Sequence, residues 1–163
     1  MPPAARRQIA FGGGCHWCTE AVFAALRGTS VTQGYAASEP PADTSSEAAL
    51  VEYDEDRTPL DVLVAIHLRT HASASDHQLR GKYRSAIYTN EADAEAARAA
   101  LTAEAREVGP VVTRVLPLRG FTPSPPQFAR YYETRGPAAP FCRTYIEPKL
   151  ARLRRECTAV LER

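Results

Sequence analysis

The segment Gln8-Ile-Ala-Phe-Gly-Gly-Gly-Cys-His-Trp-Cys18 joins an apolar run to a glycine triplet and a pair of cysteines. The run at 8–11, stopped by the glycines, predicts a buried strand that ends in a tight turn. A helix is predicted from 15 to 27, because apolar residues recur there at roughly helical spacing and Gly28 follows. The apolar positions of this helix are Trp17, Val22, Ala25 and Leu26. The segment therefore predicts a strand, a turn and a helix in direct succession.

Strands and helices continue to alternate along the rest of the chain. Further strands are predicted at 31–36, 47–53, 83–89 and 111–118, and further helices at 59–70, 91–107, 127–134 and 148–161. The helix at 59–70 is the clearest, since its apolar face forms one stripe: Leu60, Leu63, Val64, His67, Leu68 and His71. The order β-α-β-β-α-β, then α-β, predicts an α+β fold, a two-layer sandwich with a ferredoxin-like split βαβ core.

Length and composition limit the classes of protein to which the chain can belong. With 163 residues and no internal repeat, we expect a single domain over 1–163, whose C-terminal segment 122–163 begins in a proline-rich stretch. The formal net charge of +1 leaves no basic excess for binding nucleic acid or an anionic membrane surface. No apolar run approaches the ~20 residues that span a bilayer. The N-terminus lacks the apolar part of a secretory signal.

We therefore expect a cytoplasmic protein, and no feature demands more than a monomer. In that compartment the four cysteines are more often reduced, catalytic or metal-binding than joined in structural disulfides.

Cys15 is the sharpest local feature of the sequence. The glycines allow a tight turn and place Cys15 in the first turn of a helix, where unpaired N–H groups and the helix dipole stabilise an anion. The pKa of the thiol is expected to fall, which is what a nucleophilic or redox cysteine needs. The alternative is a small buried apolar residue, as most cysteines are.

The other cysteines offer partners for Cys15. Cys18 lies three residues further on, so the pair can form a local disulfide or supply two metal ligands. Cys142 follows a Gly- and Pro-rich loop, whose mobility would let it reach Cys15. Cys157 lies in a charged helical run and is expected to be a spare or packing thiol.

Glu47 is a candidate general acid. Alternation on the third strand puts it on one face with Ala49, Val51 and Tyr53. If that face is buried, loss of hydration raises the pKa of the carboxyl and keeps it protonated near neutral pH. The alternative is a strand-end glutamate that reaches solvent.

Two tyrosines, Tyr35 and Tyr83, can converge on the end of the sheet where Glu47 lies. Their phenols could donate hydrogen bonds to a polar oxygen, although ordinary aromatic packing is the common role of such residues.

Together these motifs resemble the peptide methionine sulfoxide reductase A family, in the right order over nearly the whole chain. The family's G-C-F-W turn corresponds to Gly14-Cys15-His16-Trp17, followed by Glu20-Ala21-Val22-Phe23. Its later motifs correspond to Gly34-Tyr35, Ser46-Glu47-Ala48, Lys82-Tyr83-Arg84-Ser85 and the segment from Gln127 to Cys142. The fold of that family is the two-layer α+β sandwich predicted above.

The resemblance implies a role for each matching residue. Cys15 would attack the sulfoxide sulfur, and Glu47 would protonate the oxygen while Tyr35 and Tyr83 hold it. Trp17 would form the wall that receives the methyl group. Cys15 would become a sulfenic acid and condense with a resolving thiol, Cys142 or Cys18. Thioredoxin would reduce that disulfide, and the substrate would be the S-epimer of methionine sulfoxide, free or in peptides.

The chain also departs from the family pattern. His16 replaces a phenylalanine, which makes the methyl pocket more polar and able to titrate. Cys18 stands where the family usually has glycine. The loop between His71 and Tyr83 is shorter than the family's, and only Asp76 and Gln78 are candidates for a supporting aspartate.

Two other functions compete with this assignment. A general thiol–disulfide oxidoreductase would use Cys15 and Cys18 but leave Glu47 without a task. A metal-binding module would combine those cysteines with His67, His71 and His77. Since two of these histidines lie on an apolar stripe, a packing role suits them better, and we expect neither a metal nor a cofactor.

Overall fold

The computed structural model describes residues 6–71, 73, 75 and 82–156. The strands described there are β1 (Arg7–Gly12), β2 (Thr29–Ala37), β3 (Ser46–Tyr53), β4 (Ala86–Thr89), β5 (Arg114–Pro117) and β6 (Gly120–Pro123). The α-helices are α1 (His16–Ala24), α2 (Leu60–Thr70), α3 (Glu91–Val108), α4 (Tyr131–Arg135) and α5 (Glu147–Glu156). A 3₁₀ turn spans Pro126–Phe128 and a π-helical turn spans Cys142–Ile146.

The six strands form one sheet in the order β5-β4-β1-β3-β2-β6. Neighbouring strands are antiparallel except β4 and β5, which run parallel. Helix α1 connects β1 to β2 with β3 between them, and α2 connects β3 to β4 with β1 between them. These two interleaved crossovers are the split arrangement that the order of elements predicts. The α+β fold is confirmed.

The two faces of the sheet carry different side chains. Phe11, Val51 and Ile87 lie on the face that packs against α1 and α2, and they belong to the main core. The opposite face carries small residues and a second, smaller cluster: Ala10, Ala36, Ala48, Ala86 and Tyr88. Because side chains alternate along β3, Glu47 shares the helix-covered face with Val51 and Tyr53. The sheet therefore directs Glu47 toward the start of α1.

The ends of several elements differ from the sequence prediction. Helix α1 ends at Ala24 rather than at 27, because the Thr29 hydroxyl lies 2.7 Å from the Phe23 carbonyl oxygen and 2.9 Å from that of Leu26, satisfying the last turn. Strand β4 begins at Ala86 rather than at 83, since the Arg84 N–H donates to the Ser46 hydroxyl instead of a strand. Strand β6 was not predicted, because a short stretch that ends in proline lacks strand periodicity.

None of the helices in the described part of the chain combines the length and the apolar character that crossing a membrane requires.

Candidate active site

The turn after β1 places Cys15 at the N-cap of α1. Gly13 has φ +150°, and a side chain there would collide with the ring of His71, so only glycine fits this position. The Cys15 carbonyl oxygen accepts the N–H groups of Cys18 at 3.0 Å and Thr19 at 3.2 Å, which starts the helix. The half-buried thiol therefore lies beside the unpaired N–H groups of the first turn.

Cys15 is ionised at neutral pH. A hydrogen bond from the Cys18 thiol is the largest influence on its pKa, and hydrogen bonds from His16 and from the Trp17 backbone N–H add to it. Burial and the negative charge of Glu47 oppose them, yet the pKa of Cys15 falls to about 5. The predicted fall in pKa is confirmed, but its main cause is the second cysteine rather than the helix alone.

Glu47 and His16 form a buried ion pair next to that thiolate. Nδ1 of His16 lies 2.9 Å from Oε1 of Glu47, without the linear geometry of a hydrogen bond, and the His16 backbone N–H also reaches Oε1 at 3.4 Å. Burial lowers the pKa of His16, but the contacts with Cys15 and Glu47 outweigh it and raise the pKa to about 9. The imidazole is therefore protonated at neutral pH.

The predicted rise in the pKa of Glu47 is wrong. Glu47 is only 5% exposed, so of the two alternatives the buried one holds, and burial by itself would raise its pKa. The His16 imidazolium and the Lys82 ammonium, whose Nζ lies 3.7 Å from Oε2, outweigh burial and hold the pKa below its usual value. These two cations keep the carboxyl ionised. The sequence pattern of a single strand does not reveal them, which is why the prediction failed.

The sulfur of Cys15, a ring nitrogen of His16 and a carboxylate oxygen of Glu47 lie within 4.8 Å of one another. With His16 protonated, these groups form a thiolate–imidazolium–carboxylate set. The set holds one negative sulfur and one transferable proton side by side.

A cavity of about 650 Å³ opens beside Cys15. Its walls are mainly apolar and include the aromatic residues Tyr83, Phe141 and Tyr145. Lys149 also faces the cavity, and its Nζ donates to the carbonyl oxygen of Thr70. A reactive thiolate that lines an apolar cavity is suited to bind and attack a small, partly apolar group.

The other predicted substrate residues lie around the set but not all in the cavity. The half-buried ring of Tyr35 is 5.5 Å from that of His16, centroid to centroid. Trp17 stacks on Tyr131 at 4.0 Å and meets Phe141 edge-on at 5.4 Å. Among the described residues, Trp17 and Tyr35 are not part of the cavity wall, whereas Tyr83 is.

Comparison with known proteins gives the family of the chain. A family model described as peptide methionine sulfoxide reductase matches residues 7–160. The chain belongs to this family. It is 33% identical to the peptide methionine sulfoxide reductase MsrA of Acinetobacter baumannii (strain AYE), over 90% of this chain and 94% of that protein.

Solved structures show the same fold. Methionine sulfoxide reductase A of Corynebacterium diphtheriae matches with a TM-score of 0.66 and 22% identity, over 82% of this chain and 76% of that one. Mxr1 from Saccharomyces cerevisiae in complex with Trx2 matches with a TM-score of 0.60 and 20% identity, over 75% of this chain and 83% of that one.

Cys18 and Cys142 are both buried free thiols in this member of the family. Cys18 donates to the Cys15 sulfur, and that contact raises its own pKa well above the usual value. Cys142 is 0% exposed in the π-helical turn, and it lies near enough to Cys18 to raise the pKa of that thiol further. Cys142 lies in the buried turn that follows the Gly- and Pro-rich loop, so a mobile setting that brings it to Cys15 stays a prediction.

The histidines proposed as metal ligands are used in packing. Nε2 of His67 lies 2.7 Å from the Gly12 carbonyl oxygen, and Nε2 of His71 lies 2.8 Å from the Ser85 hydroxyl. The two rings stack at 4.1 Å. Among the described residues they do not form a ligand group with Cys15 and Cys18. Asp76, His77, Gln78 and Cys157 lie outside the described residues.

Sequence reasoning missed three residues around the site. Lys82 pairs with Glu47, Tyr131 covers the Trp17 indole, and Lys149 faces the cavity. Burial lowers the pKa of Lys149, while the neighbouring Cys18 and Cys15 oppose that effect. Only Lys82 had a signal in the sequence, since it directly precedes Tyr83.

Proposed function

We propose that the chain reduces methionine-S-sulfoxide, free or in a peptide, with Cys15 as the nucleophile and thioredoxin as the reductant. The observation that carries this proposal is the ionised Cys15 sulfur, which faces a cavity and has a proton source within 4.8 Å. Sulfoxide reduction needs these two groups together, because sulfur must be attacked while oxygen receives a proton.

In the first step the Cys15 thiolate attacks the sulfoxide sulfur. A bond forms between the Cys15 sulfur and the substrate sulfur while the oxygen takes one proton from the His16–Glu47 pair. This sulfur–sulfur bond and the sulfur–oxygen bond of the substrate then break as the hydroxyl moves to Cys15, which gives a Cys15 sulfenic acid. Cys15 is oxidised by two electrons and methionine is released. Tyr83, in the cavity wall, and Tyr35, beside His16, are proposed to hold the oxygen, and the half-buried Trp17 is proposed to receive the methyl group.

In the second step a neighbouring thiol removes the hydroxyl. The Cys18 sulfur attacks the Cys15 sulfur, a disulfide forms, and the hydroxyl leaves as water with the Cys18 proton. Cys18 is favoured for this step because it already donates to the Cys15 sulfur, whereas Cys142 is fully buried. Cys142 lies beside Cys18 and is proposed to take over the disulfide by exchange.

Thioredoxin is proposed to return both sulfurs to the thiol state by supplying two electrons and two protons. Family membership and the yeast Mxr1 structure with Trx2 support this choice of reductant. We propose that the protein acts as a monomer in the cytoplasm.

A general thiol–disulfide oxidoreductase is the second candidate, since the contact between Cys15 and Cys18 gives one cysteine a low pKa and the other a high one.

Turnover of the separate S and R epimers, with thioredoxin or dithiothreitol, tests the proposal. We expect the S epimer to be consumed, the R epimer to remain, and Cys15→Ser to be inactive. Reduction of insulin disulfides at a comparable rate, with neither epimer consumed, would establish the second candidate instead. Peptide mapping after one turnover without reductant identifies the partner of Cys15, and Cys18→Ser and Cys142→Ser distinguish the two thiols.

A further inference from the structure

We propose that His16 gives the sulfoxide oxygen its proton, and that Glu47 acts as the charge partner that keeps the imidazole protonated. This inference deepens the proposed function and rests on it. It starts from the position of His16, which immediately follows Cys15 and begins α1.

The surroundings of His16 fix its ring between the reacting sulfur and the sheet. The residue is 7% exposed, and its ring contacts those of Tyr35 at 5.5 Å and Trp17 at 5.9 Å, centroid to centroid. The ring nitrogen lies within 4.8 Å of both the Cys15 sulfur and a Glu47 oxygen. Among the described residues His16 does not itself line the cavity, but this distance to the Cys15 sulfur leads us to infer that the oxygen of a bound sulfoxide comes within reach of the imidazole.

The electrostatics place the transferable proton on His16 rather than on Glu47. Glu47 faces two cations, His16 at 2.9 Å and Lys82 at 3.7 Å, so it is ionised and has no proton to give. The start of a helix repels a cation, and the imidazolium is stable there only because Glu47 and the Cys15 thiolate offset that repulsion. These charges identify His16 as the acid and Glu47 as the carboxylate that stabilises its protonated form.

The protons of the first step balance when His16 supplies the one that is transferred. The resting site holds a Cys15 thiolate and a His16 imidazolium. After oxygen transfer, the proton of His16 has become the proton of the Cys15 sulfenic acid and the imidazole is neutral. Reduction of the later disulfide supplies two protons, of which one returns to His16 and the other to Cys18.

The experiment follows single turnover of methionine-S-sulfoxide over pH 4.5 to 10 in wild type, His16→Phe and His16→Gln. Glutamine can donate a hydrogen bond but not a proton, and phenylalanine is the residue of the family pattern. The fraction of Cys15 thiolate is measured at each pH by alkylation, so that a change in the nucleophile is separated from a change in the acid. Within the described part of the chain, Tyr35 and Lys82 are titratable groups next to the pair, Cys18 bonds to the Cys15 sulfur, and Lys149 of α5 lines the same cavity as Cys15.

In wild type we expect the rate to fall above about pH 9, where His16 loses its proton. After correction for thiolate, both variants should be slower at pH 8 by about a hundredfold, the low end of what general acids contribute. In His16→Phe this decline should begin at lower pH, because Glu47 then faces one cation fewer and becomes the acid. NMR titration of the His16 ring in the reduced, substrate-free protein should give a pKa near 9 that falls in Glu47→Gln.

The outcomes separate the two proposals. If wild type turns over and the rates of both variants decline at the same alkaline pH as its own, the role of His16 is overturned while the proposed function stands. A wild-type His16 ring that titrates below pH 7 overturns it as well, whatever the variants do. Failure of wild type to reduce either epimer at any pH overturns the proposed function and this inference with it.

Discussion

Replacement of Cys18 by alanine should raise the pKa of Cys15, because the Cys18 thiol is the largest cause of its low value. A hydrogen bond to a charged group contributes about 1.5–3 kcal/mol. A difference of one in pKa corresponds to about 1.4 kcal/mol, so losing this bond should raise the pKa by about one to two. The pKa of Cys15, now about 5, should therefore rise to about 6–7 in Cys18→Ala.

Alkylation by iodoacetamide measures this rise directly, since only the thiolate reacts. At pH 5.5 the Cys15 of Cys18→Ala should react about three to twenty-five times more slowly than that of wild type, because a pKa of about 6–7 leaves a smaller fraction of thiolate at that pH. Above pH 8 the two rates should converge. Mass spectrometry of the peptide that carries Cys15 separates this reaction from that of any other thiol.

Cys18→Ser is the matched control, because its hydroxyl still donates to the thiolate and should keep most of the effect. An unchanged alkylation profile in Cys18→Ala would refute the reasoning. It would leave the helix start and His16 as the cause of the low pKa.

Three further predictions concern stability and turnover. Folding raises the pKa of His16 from 6.5 to about 9, so the stability that His16 contributes is complete below pH 6.5 and is lost as pH rises through 9. Folding lowers the pKa of Cys15 from 9 to about 5, so the stability that Cys15 contributes is complete above pH 9 and is lost as pH falls through 5. Between pH 6.5 and 9 these dependences cancel in the reduced wild type, so its stability in urea unfolding should not change with pH. In Cys15→Ser, His16 keeps only the part of its raised pKa that Glu47 provides, so stability should fall with pH above 6.5, by up to about 1.4 kcal/mol per pH unit, over a narrower range than 6.5 to 9. Gly34→Ala should lower the free energy of unfolding by about 1–3 kcal/mol, because its new Cβ collides with a backbone oxygen of β6, while Gly120→Ala meets no atom and serves as its control. Glu47→Gln should keep part of the turnover, since its amide oxygen can still accept from the His16 backbone N–H, and Glu47→Ala should lose more. Equal rates in wild type and both variants would contradict a role for Glu47.

The sequence shows which residues share a face with Glu47, but it leaves the burial of that face open and predicts the wrong direction for the pKa of the carboxyl. Alternation along β3 is a local property, so the face that Glu47 shares with Val51 is visible in the pattern. Its charge depends on Lys82, which reaches it from 35 positions further along the chain, and on the ring direction of His16. Neither contact leaves a periodic signal.

The cysteines show the same contrast between local features, which the sequence predicts, and tertiary contacts, which it does not. The helix start at Cys15 follows from the glycines and from spacing, and so does the proximity of Cys18. The burial of Cys142 depends on how the π-helical turn and α5 pack against α1, which is tertiary information. A Gly- and Pro-rich stretch predicts a loop, but it does not show that the loop ends before the cysteine.

The chain contains a single tryptophan, and that residue is Trp17, two positions after Cys15. Its indole stacks on Tyr131 and meets Phe141 edge-on, and Phe141 in turn lines the cavity beside the reactive sulfur. Intrinsic tryptophan emission therefore originates entirely at this place, with no background from elsewhere in the molecule. Fluorescence intensity and wavelength thus provide a label-free signal for ligand entry and for each change in the oxidation state of the adjacent sulfur.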